Sequence, residues 1–416
     1  MPTSSDTAVT LGAGLDMRPG GDADRIDGVE AGAVVTARDA DDVAAVLSAA
    51  GDARATVVVR GAATKLDWGS PPRRADLVVD VSGLDNVLDH AAGDLVVRVQ
   101  PGVRLADLQA VLASSGQRLA VDEVVAGSTV GGIIATSLAG PLRLAHGAVR
   151  DLLLGITVVV AGGRSATSGG RVVKNVAGYD LAKLYAGSYG TLGVVTEAFL
   201  RLHPIPERSA WLTVATPDAS SVERAVAALG AARITPAALE VHDGGDGPAE
   251  VVALLDGTES GLKGRLDAAR ELVGTGFGTS FESPAWWATM PGLAPGETLL
   301  KATTTITQVG SLIAGLRRCA AEVGASVEIN GSAGVGVLYA GIGAGAPSGT
   351  VHRILATARR LCGAVGGSAV VLRAPAHERA GMDAWGPVPA LALMRSVKDG
   401  FDPHHLLAPG RFVGGI

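Results

Sequence analysis

The stretch Arg171–Gly193, RVVKNVAGYDLAKLYAGSYGTLG, decides how this chain reads. It closes on Gly187, Gly190 and Gly193 and runs at once into the strand-like segment VVTEAFLRL. A glycine at every third position leaves the backbone nearly bare, so a flat or charged ligand can reach main-chain N–H groups. Alone, such glycines are a weak signal. Just upstream stands Lys174-Asn175-Val176-Ala177-Gly178-Tyr179-Asp180, and the two together form a specific word.

Working outward, two more small-residue loops precede it. The short β-branched strand Thr56–Arg60 leads into Arg60-Gly61-Ala62-Ala63-Thr64-Lys65. Small residues suit a loop whose successive N–H groups point at an anion, because a large side chain would push the loop away. The second loop is Gly127-Ser128-Thr129-Val130-Gly131-Gly132-Ile133. Ser128 and Thr129 offer hydroxyls, Gly131-Gly132 allow close backbone approach, and Ala135, Ser137 and Gly140 continue the small lining. Apolar residues are interleaved throughout, which a solvated linker would avoid. The uncharged run Val124–Leu142 nearly reaches membrane-spanning length, but its glycines and Pro141 favour a buried ligand loop entering a short helix.

These words resemble the FAD-binding domain of the vanillyl-alcohol-oxidase and p-cresol-methylhydroxylase (PCMH) type. Within that group the chain looks most like the FAD-binding subunit of bacterial glycolate oxidase. The resemblance implies FAD, held by Arg60, Gly61, Ala62, Ala63, Thr64, Lys65, Gly127, Ser128, Thr129, Gly131, Gly132, Ser137, Gly147, Gly190 and Gly193; the first loop holds neither a His nor a Cys to attach it, so the FAD is expected to be non-covalent. It implies that Val194 and Val195 meet the adenine edge. Ala62-Ala63 depart from the family, where a glycine is common. His146, in His146-Gly147-Ala148, stands where related chains have an aromatic residue, and it is the one candidate for flavin attachment close to a motif. Other nucleotide words fail: Gly12-Ala13-Gly14 lacks its third glycine, and no G-x-x-x-x-G-K-[ST] occurs, so neither a Rossmann nor a P-loop enzyme is supported.

Bulk properties set the frame. A chain of 416 residues is too long for one ordinary core. The net charge of −6, with no long basic run, argues against nucleic acid as a partner. The two cysteines, Cys319 and Cys362, read as buried reduced thiols and cannot ligate an iron–sulfur cluster, which needs four ligands. No metal site is expected. No signal peptide or transmembrane segment is evident, so the expected location is cytoplasmic, with inner-membrane association only through partners.

The spacing predicts helices at 39–50 and 104–115, strands at 77–81, 95–100 and 194–202, and a hairpin joining 156–160 to 172–173. After Pro206 the texture becomes two successive β-α-β-β-α-β rounds, the pattern of a ferredoxin-like unit. The fold class is therefore α+β: a polar arm at 1–26, a two-subdomain PCMH-type domain at 27–206, a ferredoxin-like cap at 207–400, and a segment at 401–416 returning to the FAD domain. In the cap, His242-Asp243-Gly244-Gly245 is similar to the histidine word of D-2-hydroxy-acid dehydrogenases but reads as a loop of turn formers. Arg373, at a strand end, and Lys301 are the candidates for binding an acid; Trp286-Trp287 suit a site or a core equally.

By this resemblance the expected function is oxidation of a small 2-hydroxy acid by hydride transfer to flavin N5. Electrons would pass to an iron–sulfur subunit and a second FAD subunit, or to another acceptor. The alternative is a non-catalytic flavin-bearing or structural subunit of such a complex, favoured by the lack of a convincing catalytic histidine. An NADPH-dependent wall-precursor reductase is a third, weaker reading.

Overall fold

The computed structural model describes residues 15–171, 179–231, 234–273, 276–379 and 381–416. Val172 and Val173, the word from Lys174 to Gly178, and Gly12–Gly14 lie outside the described residues.

The chain forms two compact units. One comprises the chain up to Leu138, Ala148–Pro204 and Pro387–Ile416; the other comprises Ala139–Gly147 and Ile205–Gly386. Two segments thus sit elsewhere than the sequence suggested. Residues 139–147 go with the second unit because Leu142 buries against Ala237, Ala238 and Leu254. Residues 387–400 go with the first, where Lys398 is fully buried.

The first unit holds two larger sheets and a two-stranded ladder that pairs Gln117–Arg118 with His203–Pro204. In one, Ala31–Thr36, Ala75–Asp80 and Val57–Arg60 lie parallel in that order, with Met17–Pro19 antiparallel at the edge. The near-continuous apolar runs of these strands suit parallel strands buried on both faces. Helix Ala40–Ala53 packs beside them, starting at Asp39, whose carboxylate accepts from the Asp42 N–H at 2.8 Å. The second sheet is antiparallel, ordered Val87–Ala91, Val96–Val99, Val194–Arg201, Leu153–Val159 and Ser165–Gly169. The hairpin partner of Leu153–Val159 is therefore Ser165–Gly169, nearer the turn than expected, because Gly162 and Gly163 take φ of +83° and +80° and turn the chain tightly.

The second unit is one eight-stranded antiparallel sheet. Its order is Phe277–Ser280, Arg208–Thr216, Ala249–Gly257, Ala238–Asp243, Val327–Ser332, Val337–Ile342, Thr298–Thr303 and Ser368–Arg373. Each β-α-β-β-α-β round makes four strands in ferredoxin-like order, and the rounds join edge to edge through Ala238–Asp243 and Val327–Ser332. Helices Ala219–Ala231, Glu259–Val273, Val309–Glu322 and Thr350–Gly363 cover one face, over a core that includes Leu212, Val241, Leu300 and Ile354. Both cysteines are buried in that core.

Candidate functional site

The three loops converge in the first unit on one cleft. Its lining includes Gly61, Ala62, Ala63, Thr64, Lys65, Thr129, Gly131, Gly132, Gly190, Gly193, Val194 and Val195.

The first loop leaves the C-terminal end of the parallel strand Val57–Arg60. Ala63 adopts φ +61°, so the chain curls and its N–H groups turn to one side. Among the described residues, no protein acceptor takes the N–H groups of Ala62, Ala63, Thr64 or Lys65. Four neighbouring donors without partners are costly unless an anion or water receives them. Lys65 adds charge: its buried amine donates to Thr64 Oγ1 at 2.9 Å and Ser128 Oγ at 2.7 Å, leaving one N–H of three. Burial pulls its pKa down to about 8, against the opposing charge of Glu123.

The second loop enters helix Val130–Thr136, capped by Thr129 Oγ1 accepting from the Gly132 N–H at 3.2 Å. The third docks on the other end of that helix, where Gly187 N and Tyr189 N donate to Ile134 O and Ala135 O. Tyr189 and Gly190 both have positive φ, +56° and +74°, and a side chain on Gly190 would meet open space. The C-terminal segment clasps both ends of the cleft. Arg411 donates to Leu66 O and Trp68 O at 2.8 Å each, and Phe412 stacks on Tyr189 at 5.6 Å. Lys398 Nζ reaches Thr191 O at 2.7 Å, Leu407 O at 2.9 Å and Asp402 at 2.7 Å.

Several expected residues do other work. The Arg60 guanidinium is engaged by Asp24 and Asp80 at 2.7 Å each and ties the strand ends together. Ser128 spends its hydroxyl on Val125 O and Lys65, so it offers no donor to a ligand. Gly127 is held by Glu123 and Arg104 beside the cleft. Ser137 closes the helix in a left-handed turn, φ +50°, away from the lining. Gly147 and His146 belong to the second unit and do not line the cleft. Gly131 does line it, but a Cβ there would come within 2.6 Å of Pro101, so its bareness makes room for Pro101 and not for a ligand. Pro101, Tyr185, Ser188, Tyr189 and Arg411 line the cleft and were not foreseen. The Tyr189-Gly190 pair beside the glycine triplet was the available signal for one of them.

In the second unit, Arg373 is taken: it donates to Gly292 O and Ala294 O at 3.3 and 2.9 Å, so it braces a loop and is not poised for an acid. His242 is in a strand, not a loop. It stacks on Trp286 at 4.9 Å and hydrogen-bonds Asn330 at 2.5 Å. Lys301 lies on the sheet face opposite the four long helices, paired across strands with Tyr339.

A cradle of unpaired N–H groups, a lysine and glycine-lined space fit a dinucleotide pyrophosphate. Residues 31–169 match the FAD binding domain family, and residues 381–412 match the FAD linked oxidases, C-terminal domain. The fold is thus that of a PCMH-type FAD-binding protein, and the cofactor is FAD. It is 35% identical to glycolate oxidase subunit GlcD of Bacillus subtilis over 212 residues, covering 51% of this chain and 45% of that one. It is 38% identical to glycolate oxidase subunit GlcE of Escherichia coli over 155 residues, 37% of this chain and 44% of that one. The chain spans less than half the length of these two relatives. In fold it is similar to 4-ethylphenol oxidase from Gulosibacter chungangensis, with a TM-score of 0.74 at 14% identity, covering 98% of this chain and 96% of that one. Among the described residues, no helix is long and apolar enough to cross a membrane.

Proposed function

We propose that this chain is an FAD-linked oxidoreductase acting on the CH–OH group of a small 2-hydroxy acid, working as a subunit of a glycolate-oxidase-like complex. The observation that carries this reading is the Ala62–Lys65 cradle, in a chain similar to two glycolate oxidase subunits. Bound FAD supplies a hydride acceptor, and the acid leaves as its 2-oxo form. The chain's own part is to hold the pyrophosphate on backbone N–H groups and Lys65. Tyr189, braced by Phe412, and Gly190 shape the wall of the cleft.

One observation favours the second reading, a flavin-bearing subunit that does not turn over substrate. Among the described residues lining the cleft there is no His, Asp or Glu, so the first unit offers no ordinary general base there. With only two cysteines, the chain also has no cluster of its own to carry electrons onward. An iron–sulfur subunit, a second FAD subunit or another acceptor fills that role, and any membrane attachment of an otherwise cytoplasmic protein comes through such partners.

The test is dye reduction by the purified chain with glycolate and D-lactate. Slow reduction that rises when co-expressed partner subunits are added fits the subunit reading. Rapid oxidation with oxygen alone, yielding stoichiometric peroxide, would mean a self-sufficient oxidase and contradict it.

A further inference from the structure

One buried hydroxyl in the wall of the cleft is not used within the protein. Helix Ala182–Tyr185 is a single turn just ahead of the third loop, and it buries both Ala182 and Tyr185. Tyr185 O accepts from Ser188 N at 3.2 Å, so the residue is tied to that loop. A Cβ on Gly193 would come within 3.3 Å of the Tyr185 ring, and the Phe401 ring meets it edge-on, 5.8 Å between centroids. The bareness of Gly193 thus leaves the space that the ring fills, and these neighbours fix where the phenol sits.

Tyr185 is 3% exposed and lines the cleft. Among the described residues, its hydroxyl has no hydrogen-bond partner. A buried donor without a partner is destabilising, and an acceptor on a ligand in the cleft relieves that cost. Burial pushes the phenol up to about 12, against the opposing charge of Arg164, so the group stays a neutral donor. Packing does not call for the hydroxyl, since a phenylalanine ring would fill the same place among Ile134, Val158 and Leu200.

We propose that the Tyr185 hydroxyl donates to the adenosine half of FAD and so helps this chain select FAD over FMN. This rests on the flavin reading of the cleft. With the pyrophosphate on the Ala62–Lys65 cradle, one half of the cofactor is the reacting ring and the other is a handle. The reacting ring needs an open edge for substrate and for an electron acceptor. Ser188 and Val194, which line the cleft with Tyr185, are 7% and 1% exposed, and so enclosed a place suits the half that needs no access. Adenine ring nitrogens and ribose oxygens are acceptors for a phenol O–H.

The experiment is titration of the full-length chain, stripped of FAD, with ADP, FAD and FMN. ADP carries the adenosine and pyrophosphate without the flavin, and FMN carries the flavin without the adenosine. Wild type should bind ADP, and Tyr185→Phe should weaken ADP and FAD alike by roughly five- to tenfold while leaving FMN unchanged. The flavin-free variant should melt no lower than flavin-free wild type, because only an unpaired hydroxyl is lost. Unchanged ADP affinity in the variant, FMN weakened as much as ADP, or a flavin-free variant that melts lower would each overturn the assignment. A wild type that takes up FAD but not ADP would overturn it too, and leave the flavin reading standing. A wild type that binds neither would refute the flavin reading itself.

Discussion

Gly190→Val is expected to abolish FAD binding while the protein still folds. Gly190 sits at φ +74°, where a β-branched residue is strained by roughly 1–3 kcal/mol. A Cβ there meets nothing within 4 Å, so the added methyls project into open space at a residue that lines the cleft and not into packed protein. The purified variant should be colourless, and its melting temperature should lie below that of the loaded wild type and stay put when FAD is added. Gly190→Ala, with a smaller side chain and the same positive φ, should retain part of the flavin. One FAD per chain in the valine variant would remove the third loop from the site. Gly131→Val is not an equivalent probe, because its Cβ would collide with Pro101 and disturb the chain directly.

Lys398→Met is expected to be the most destabilising single change in the C-terminal segment. Lys398 and Asp402 are both 0% exposed and paired at 2.7 Å, and Asp402 also accepts from Leu406 N and Leu407 N. Removing the amine strands a buried carboxylate and frees the carbonyls of Thr191 and Leu407, at a cost of about 3–5 kcal/mol. The melting temperature should fall by on the order of 10 °C. Because Thr191 follows Gly190, FAD retention should fall with it. Adding Asp402→Asn should recover part of the loss by removing the orphaned charge. A melting temperature equal to wild type would show that the clasp contributes nothing to holding the loop.

The elements legible in the sequence are those set by local pattern. Apolar runs such as LVVD at 77–80 marked the parallel strands, and alternation with helical spacing after Pro206 marked the two ferredoxin-like rounds. The glycine loops were legible because backbone exposure needs small residues wherever the chain folds. What was not legible depends on partners distant in sequence. Arg373 looked available until Gly292 O and Ala294 O, some eighty residues earlier, were seen to hold it. Ser128 looked like a ligand donor, but Lys65, 63 residues away, claims it. His242 reads as a loop because a run of turn-forming residues, Asp243 to Pro248, follows it, yet pairing with Asn330 in another round makes it strand. The helix Leu391–Phe401 went unread, although Met394, Val397 and Phe401 share a spacing that fits one face.

The first unit is expected to bind one FAD in the cleft formed by residues 61–65, 129–132 and 188–195. The most direct test is the absorption spectrum of the purified protein, followed by acid precipitation and identification of the released chromophore. The protein should be yellow and release one FAD per chain into the supernatant. A protein that is colourless and stays colourless after refolding with FAD, or that releases FMN, would contradict it.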